Sequence, residues 1–207
     1  MQVITMSITL IGASGNAGSR ILKELTDRGH HVTAITRHPE KVAKLPNVTA
    51  TYGDASNKDA LVSLLKGADI VISALRFAGT DPRILIDAVK AAGVKRYLVV
   101  GGAGSLEVAP GVKLFNTPEF PEAYKPEATK GGAFLDLLRK EKELDWTFLS
   151  PSAMFVPGER TGKFRLGGDQ LLTSEKGSSI SFEDYAVALA DEIEKPKHRR
   201  QRFTVAY

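Results

Sequence analysis

A chain of 207 residues, 43% of them hydrophobic and 25% charged, suffices to bury one core of ordinary size and leaves no room for a second domain. The absence of cysteine excludes a disulfide framework, thiol catalysis and thiolate metal sites, and makes a reducing, cytoplasmic compartment the expectation. The formal charge of +4 is spread thinly apart from a basic run at 195–202, which reads as a solvated helix end leading into a strand; without interleaved aromatics it does not suggest nucleic-acid binding.

Residues 3–13 are apolar, follow no Lys or Arg and enter a Gly-rich turn, so they read as a buried strand and not as a signal peptide. No apolar run approaches the ~20 residues that span a bilayer, and no membrane residence is expected. From there β-branched runs predict strands at 7–11, 31–36, 48–52, 70–73, 97–100 and 146–149. Amphipathic segments predict helices at 17–28, 58–66, 84–92 and 128–142. Consecutive apolar residues, as in Leu98-Val99-Val100, mark strands buried on both faces of a parallel sheet.

The rhythm implies an α/β protein, a Rossmann-type doubly wound parallel sheet forming a single domain over 1–207, with its ligand crevice at the C-terminal strand ends. After Leu149 the rhythm breaks. Residues 151–181 carry Pro157, Gly158, Gly162, Gly167 and Gly168 and read as a small irregular C-terminal lid on the substrate side, with a short hairpin at 163–166. A last helix at 182–195, capped by Ser181 with Asp184 at N3, precedes an edge strand at 202–206.

The strongest chemical signal is Gly12-Ala13-Ser14-Gly15-Asn16-Ala17-Gly18, between the first predicted strand and helix. There the first glycine permits a tight turn, the second admits a pyrophosphate to the backbone, and the third lets helix pack on strand. The helix N-terminus at Ala17 attracts phosphate, and Ser14 and Asn16 add side-chain donors. The four histidines have no metal-ligand spacing, so no metal site is expected.

GASGNAG at 12–18, Arg37, GDAS at 53–56 and DWTFLSP at 145–151 resemble the atypical short-chain dehydrogenase/reductases. The nearest subgroup is that assigned as NAD(P)H-flavin reductases, whose relatives include biliverdin reductase B-like flavin reductases and NmrA-like cofactor sensors. GERTGKFRLG at 158–167 and SFEDYAVALADEIEKP at 181–196 extend the resemblance to nearly the whole chain.

The resemblance implies a nicotinamide dinucleotide. Arg37, 25 residues beyond Gly12, stands where an NAD site places an acid for the ribose 2′-OH, so NADP(H) is favoured over NAD(H), with Glu40 keeping NAD open. It also implies Asp54 on the adenine amino group with Ala55 offering its backbone, a helix cap being the alternative role for Asp54. Ser73, Ala74, Leu75 and Arg76 should run beside the ribose and nicotinamide. Gly101 and Gly102 should admit a flat ring, and Pro151, Ser152, Ala153 and Met154 should lie against the nicotinamide.

Catalytic candidates are Ser105, after the fifth strand, and Tyr124. The superfamily's proton-transfer pair needs a lysine four residues after the tyrosine, on the same helix face, and that position is Ala128. Lys125 is adjacent to Tyr124 and Lys130 is six residues on, both off that face. Tyrosine-driven carbonyl chemistry or epimerisation is therefore disfavoured. Hydride transfer to a small planar acceptor, such as FMN, FAD or a quinone, needs less from the protein. Phe77, Tyr124, Met154 and Phe155 are the candidate walls of its pocket. The alternatives are an NmrA-like dinucleotide sensor without turnover and an epimerase or dehydratase; monomer and homodimer both remain open.

Overall fold

The computed structural model describes residues 4–207, so Val3, at the start of the apolar stretch 3–13, lies outside the described residues. In chain order the main elements are β1 (Ser7–Ile11), α1 (Asn16–Asp27), β2 (His31–Thr36), β3 (Val48–Tyr52), α2 (Lys58–Leu65), β4 (Ile70–Ser73), α3 (Pro82–Ala91) and β5 (Arg96–Val100). A small hairpin of β6 (Glu107–Ala109) and β7 (Val112–Lys113) precedes α4 (Lys125–Lys140) and β8 (Asp145–Ser150). Then come β9 (Met154–Val156), β10 (Arg165–Gly167), β11 (Ser179–Ser181), α5 (Phe182–Glu194) and β12 (Gln201–Ala206).

One sheet of order β3-β2-β1-β4-β5-β8-β12-β10 organises the molecule. Its pairings are parallel except that of β10 with β12. Alternation along each strand divides the core. Ile8, Leu10, Leu98 and Val100 pack with α1 and α5 on one face, while Ile11, Val71, Tyr97 and Val99 pack with α2, α3 and α4 on the other. The chain reverses direction of winding between β1 and β4, so the segments that leave these strands, starting at Gly12 and Ala74, diverge and open a crevice. No helix among the described residues is long and apolar enough to cross a membrane.

Three expectations for the C-terminal part need correction. Strand β12 is not an edge: it lies between β8 and β10. The hairpin at 163–166 does not form, because Arg165–Gly167 instead pairs antiparallel with Thr204–Ala206 of β12, giving that strand a ladder partner on its outer side. Residues 151–181 are also less irregular than predicted, since Met154–Val156 and Ser179–Ser181 form a parallel pair.

The basic run at 195–202 is likewise not simply solvated. His198 Nδ1 lies 2.8 Å from Glu192, and Arg202 is buried, its Nε donating to Asp169 at 2.7 Å.

Ser181 caps α5 as expected, its Oγ accepting from the Asp184 N–H at 2.9 Å. Asp184 does not reach back to complete a capping box. Its buried carboxylate accepts from the N–H groups of Thr161 and Gly162 at 2.8 and 2.7 Å and from the Tyr207 hydroxyl at 2.7 Å, tying the 151–181 segment and the C-terminus to α5. Asp184→Ala leaves these donors without an acceptor and should lower unfolding free energy by about 3 kcal/mol, as read from urea denaturation.

Candidate functional site

The Gly-rich turn is dictated by contact. Gly12 has φ +86°, donates its N–H to the Ile35 carbonyl at 2.9 Å, and a Cβ on it would stand 2.3 Å from the Ala74 carbonyl oxygen. A Cβ on Gly18 would stand 2.1 Å from the Gly12 carbonyl oxygen, so α1 can seat on the turn only through a glycine. Gly15 differs: its Cβ would meet only the Gly12 oxygen, at 3.4 Å, so its outer face is open. Gly15 is the N-cap of α1 and supplies no side-chain cap, and the helix has no acidic residue in its first turn. The N–H groups of Asn16, Ala17 and Gly18 therefore have no helical partner, and the positive end of the dipole is unopposed.

A cavity of about 650 Å³ lies over this turn. Gly12, Ser14 and Gly15 form its floor, and Ala74, Leu75 and Arg76 one wall. Arg37, Asp54 and Ala55 form the far wall, and the lining also includes Thr36 and His38 beside them and Thr80 on the Arg76 side, residues that the sequence reading did not single out. Ser14 Oγ lies 2.8 Å from Thr36 Oγ1, which also accepts the His38 N–H at 3.1 Å and so links the turn to the end of β2. Neither Arg37 nor Arg76 has an ion-pair partner among the described residues. Glu40 lies outside the lining and pairs with His38 Nδ1 at 3.3 Å.

Asp54 does not cap α2; Asn57 does, accepting from the Ala60 N–H at 3.1 Å. Instead Asp54 accepts the N–H and O–H of Ser56 at 2.9 and 2.8 Å. The Ser56 N–H, then its hydroxyl, and then the Arg37 charge hold the Asp54 carboxyl below the usual carboxylate range.

A second cavity, of about 670 Å³, lies at the ends of β5 and β8. Gly101 and Gly102 line it on one side; Pro151, Ser152, Ala153 and Met154 on another; and Tyr124 stands at its mouth, 66% exposed. The N–H groups of Ala153 and Met154 are donated to Ser178, leaving that segment to offer carbonyls and apolar surface. Phe77 forms part of the wall while packing into the core against Phe148 and Phe134. Phe77 and its neighbour Ala78 line the second and first cavities respectively, so the two adjoin.

The structure keeps some candidates out of both cavities. Ser105 is buried, and its Oγ accepts from the Arg202 guanidinium at 3.1 Å, so its side chain serves the packing under the crevice and faces no open space. Ser73 is likewise buried, 2.7 Å from the Tyr97 hydroxyl. Asn16, Ala17 and Gly18 contribute to the turn and to the start of α1 without lining a cavity.

Sequence reasoning missed Glu127. Its two carboxylate oxygens accept from the N–H groups of Phe77 and Ala78, each at 2.7 Å, fixing the loop that borders both cavities. Lys130 adds a bond to the Ala78 carbonyl at 3.2 Å. A glutamate in the first turn of a helix reads as a dipole partner, and nothing local discloses a target 50 residues away. Tyr124 precedes α4, and the position four residues on, Ala128, abuts Gly104: a Cβ on Gly104 would stand 2.6 Å from that of Ala128. Among the described residues no cluster of potential metal ligands is present.

Comparison with known proteins agrees with this geometry. The family described as NAD(P)H-binding matches residues 12–196. A curated relative, the uncharacterized protein YwnB of Bacillus subtilis, is 44% identical over 97% of this chain and 98% of its own. A crystal structure from Bacteroides thetaiotaomicron, named a "putative epimerase", is 46% identical with a TM-score of 0.93, covering 99% of this chain and 98% of that one. Another from Streptococcus pneumoniae, named a "putative NADH-flavin reductase", is 38% identical with a TM-score of 0.82, covering 97% of this chain and 99% of that one.

Ser56→Ala removes one of the two donors to Asp54, so the Asp54 pKa should rise toward its ordinary value of about 3.9 in a carbon-detected NMR titration. Because the folded pKa is depressed, its contribution to stability is present above the unfolded pKa and is lost as pH falls through the folded one. The variant should shrink that acid-side loss.

Proposed function

The chain belongs to the NAD(P)H-binding family, and from that premise we propose that it is an NADPH-dependent reductase passing hydride to a flavin, quinone or similar planar acceptor. The observation that carries the coenzyme half is the pair of unpartnered guanidiniums, Arg37 and Arg76, on the same cavity as an uncapped helix N-terminus. Three sources of positive potential converge where a dinucleotide would present its pyrophosphate and 2′-phosphate. The glycine cradle supports the same assignment, since side chains at Gly12 and Gly18 would collide with backbone while Gly15 stays open.

In this reading Arg37 takes the 2′-phosphate, Asp54 the adenine amino group, and the turn at 12–18 the pyrophosphate. The reduced nicotinamide, when bound, supplies the hydride. Gly101, Gly102 and the 151–154 segment give it a flat seat, and the apolar wall at Phe77 and Phe155 holds the acceptor ring and excludes water.

Tyr124 has no lysine partner on its helix, which supports an acceptor that draws its proton from solvent. The same absence favours, as a second reading, a dinucleotide sensor without turnover. The deciding assay is oxidation of NADPH in the presence of flavins and quinones. Turnover supports the reductase, whereas coenzyme binding with no oxidation across the panel supports the sensor.

Arg37→Ala should weaken NADPH binding about 10- to 100-fold, the worth of one or two charge-assisted hydrogen bonds, while leaving NADH binding nearly unchanged by calorimetry. Equal losses for both coenzymes would refute the role given to Arg37. Tyr124→Phe should retain kcat within about threefold; a loss of 100-fold or more would make the phenol the proton donor.

A further inference from the structure

The two adjoining cavities differ in charge. The one over the Gly-rich turn is lined by Arg37, Arg76 and His38, with Asp54 the single acid. The one at the ends of β5 and β8 has two charged lining residues, Glu119 and Glu127, both acidic, and its lining includes no lysine, arginine or histidine. Glu127 is neutralised in part by the two backbone N–H groups it accepts. Glu119 is exposed and has no ion-pair partner among the described residues. The rest of the wall is largely apolar, including Phe120, Pro121 and Phe155.

An aromatic ring system gains from such a wall, but an anionic substituent within this cavity would meet a free carboxylate and no cation in the lining. We infer that the acceptor site selects planar acceptors that carry no anionic group, such as riboflavin or an uncharged quinone, and discriminates against FMN and FAD. This rests on the reductase reading and narrows it. The electron balance is the same for every flavin: hydride from the reduced nicotinamide and one solvent proton convert the oxidised ring to its dihydro form. The isoalloxazine is common to all three flavins, so selection acts on binding, through like-charge repulsion near the mouth.

The test is titration of riboflavin and FMN, followed by flavin fluorescence, into the protein saturated with NADP+. At low ionic strength riboflavin should bind at least about tenfold more tightly than FMN, with the gap narrowing near ~0.5 M salt as the carboxylates are screened. Glu119→Lys should shift the affinity ratio toward FMN by about tenfold or more, and Glu119→Gln by less.

FMN binding as tightly as riboflavin to the unaltered protein, or a ratio unmoved by Glu119→Lys, would overturn the inference while leaving the reductase standing. Failure of both flavins and of an uncharged quinone to bind, with NADP+ still bound, would overturn the reductase reading and this inference together.

Discussion

The approach of the Gly12 backbone to the Ala74 carbonyl is the constraint from which the rest of the site follows. Neighbouring parallel strands β1 and β4 leave the sheet side by side, and the turn after β1 must cross directly over the end of β4. Any side chain at Gly12 would occupy the volume of that carbonyl, and any at Gly18 would hold α1 off the turn. Once both are glycine, α1 drops onto the turn with its N-cap, Gly15, on the first cavity, and the positive potential of that helix end is a property of backbone alone. The arginines at the ends of β2 and β4 add to a field that the topology has already oriented.

Glu127 performs the corresponding work at the other end of the crevice. The loop after β4 must serve as wall to both cavities, and without a partner its N–H groups at 77 and 78 would face an open, partly apolar space. A single carboxylate from α4 satisfies both. It also fixes the ring of Phe77, which sits above Gly131 and against Phe148, so the wall of the second cavity is continuous with the core and shares its rigidity.

Much of this was legible in the sequence because it depends on local rules. The predicted bounds of β1 to β4 coincide with those observed, since a β-branched run stops at a glycine whether its strand is buried, as where Ile11 gives way to Gly12, or lies exposed at the sheet edge, as where Tyr52 gives way to Gly53. The glycine spacing located the turn between β1 and α1 for the same reason. Long-range satisfaction of polar groups was illegible. Arg202 looked like part of a solvated basic run, yet it is buried and occupies Ser105, a residue whose place after β5 suggested chemistry. Likewise β12 looked like an edge, because the strand that covers it, β10, is three residues long and lies in a glycine-rich segment.

The missing lysine partner of Tyr124 has a packing counterpart. At the crevice floor α4 comes so close to the turn after β5 that Ala128 and Gly104 leave no gap between them, and one turn of helix later Gly131 and Gly132 admit Phe77 and Phe115. With Ala128 and the two glycines on the face toward the turn after β5, that face brings small residues to the crevice, and a cation of the same helix, Lys130, bonds the Ala78 carbonyl. What the protein gives up is a lysine four residues beyond Tyr124; what it gains is a largely apolar wall that includes Phe77, Phe120 and Phe155. That exchange suits an acceptor whose own conjugation absorbs the incoming electrons and disfavours one that needs a proton delivered in the same step.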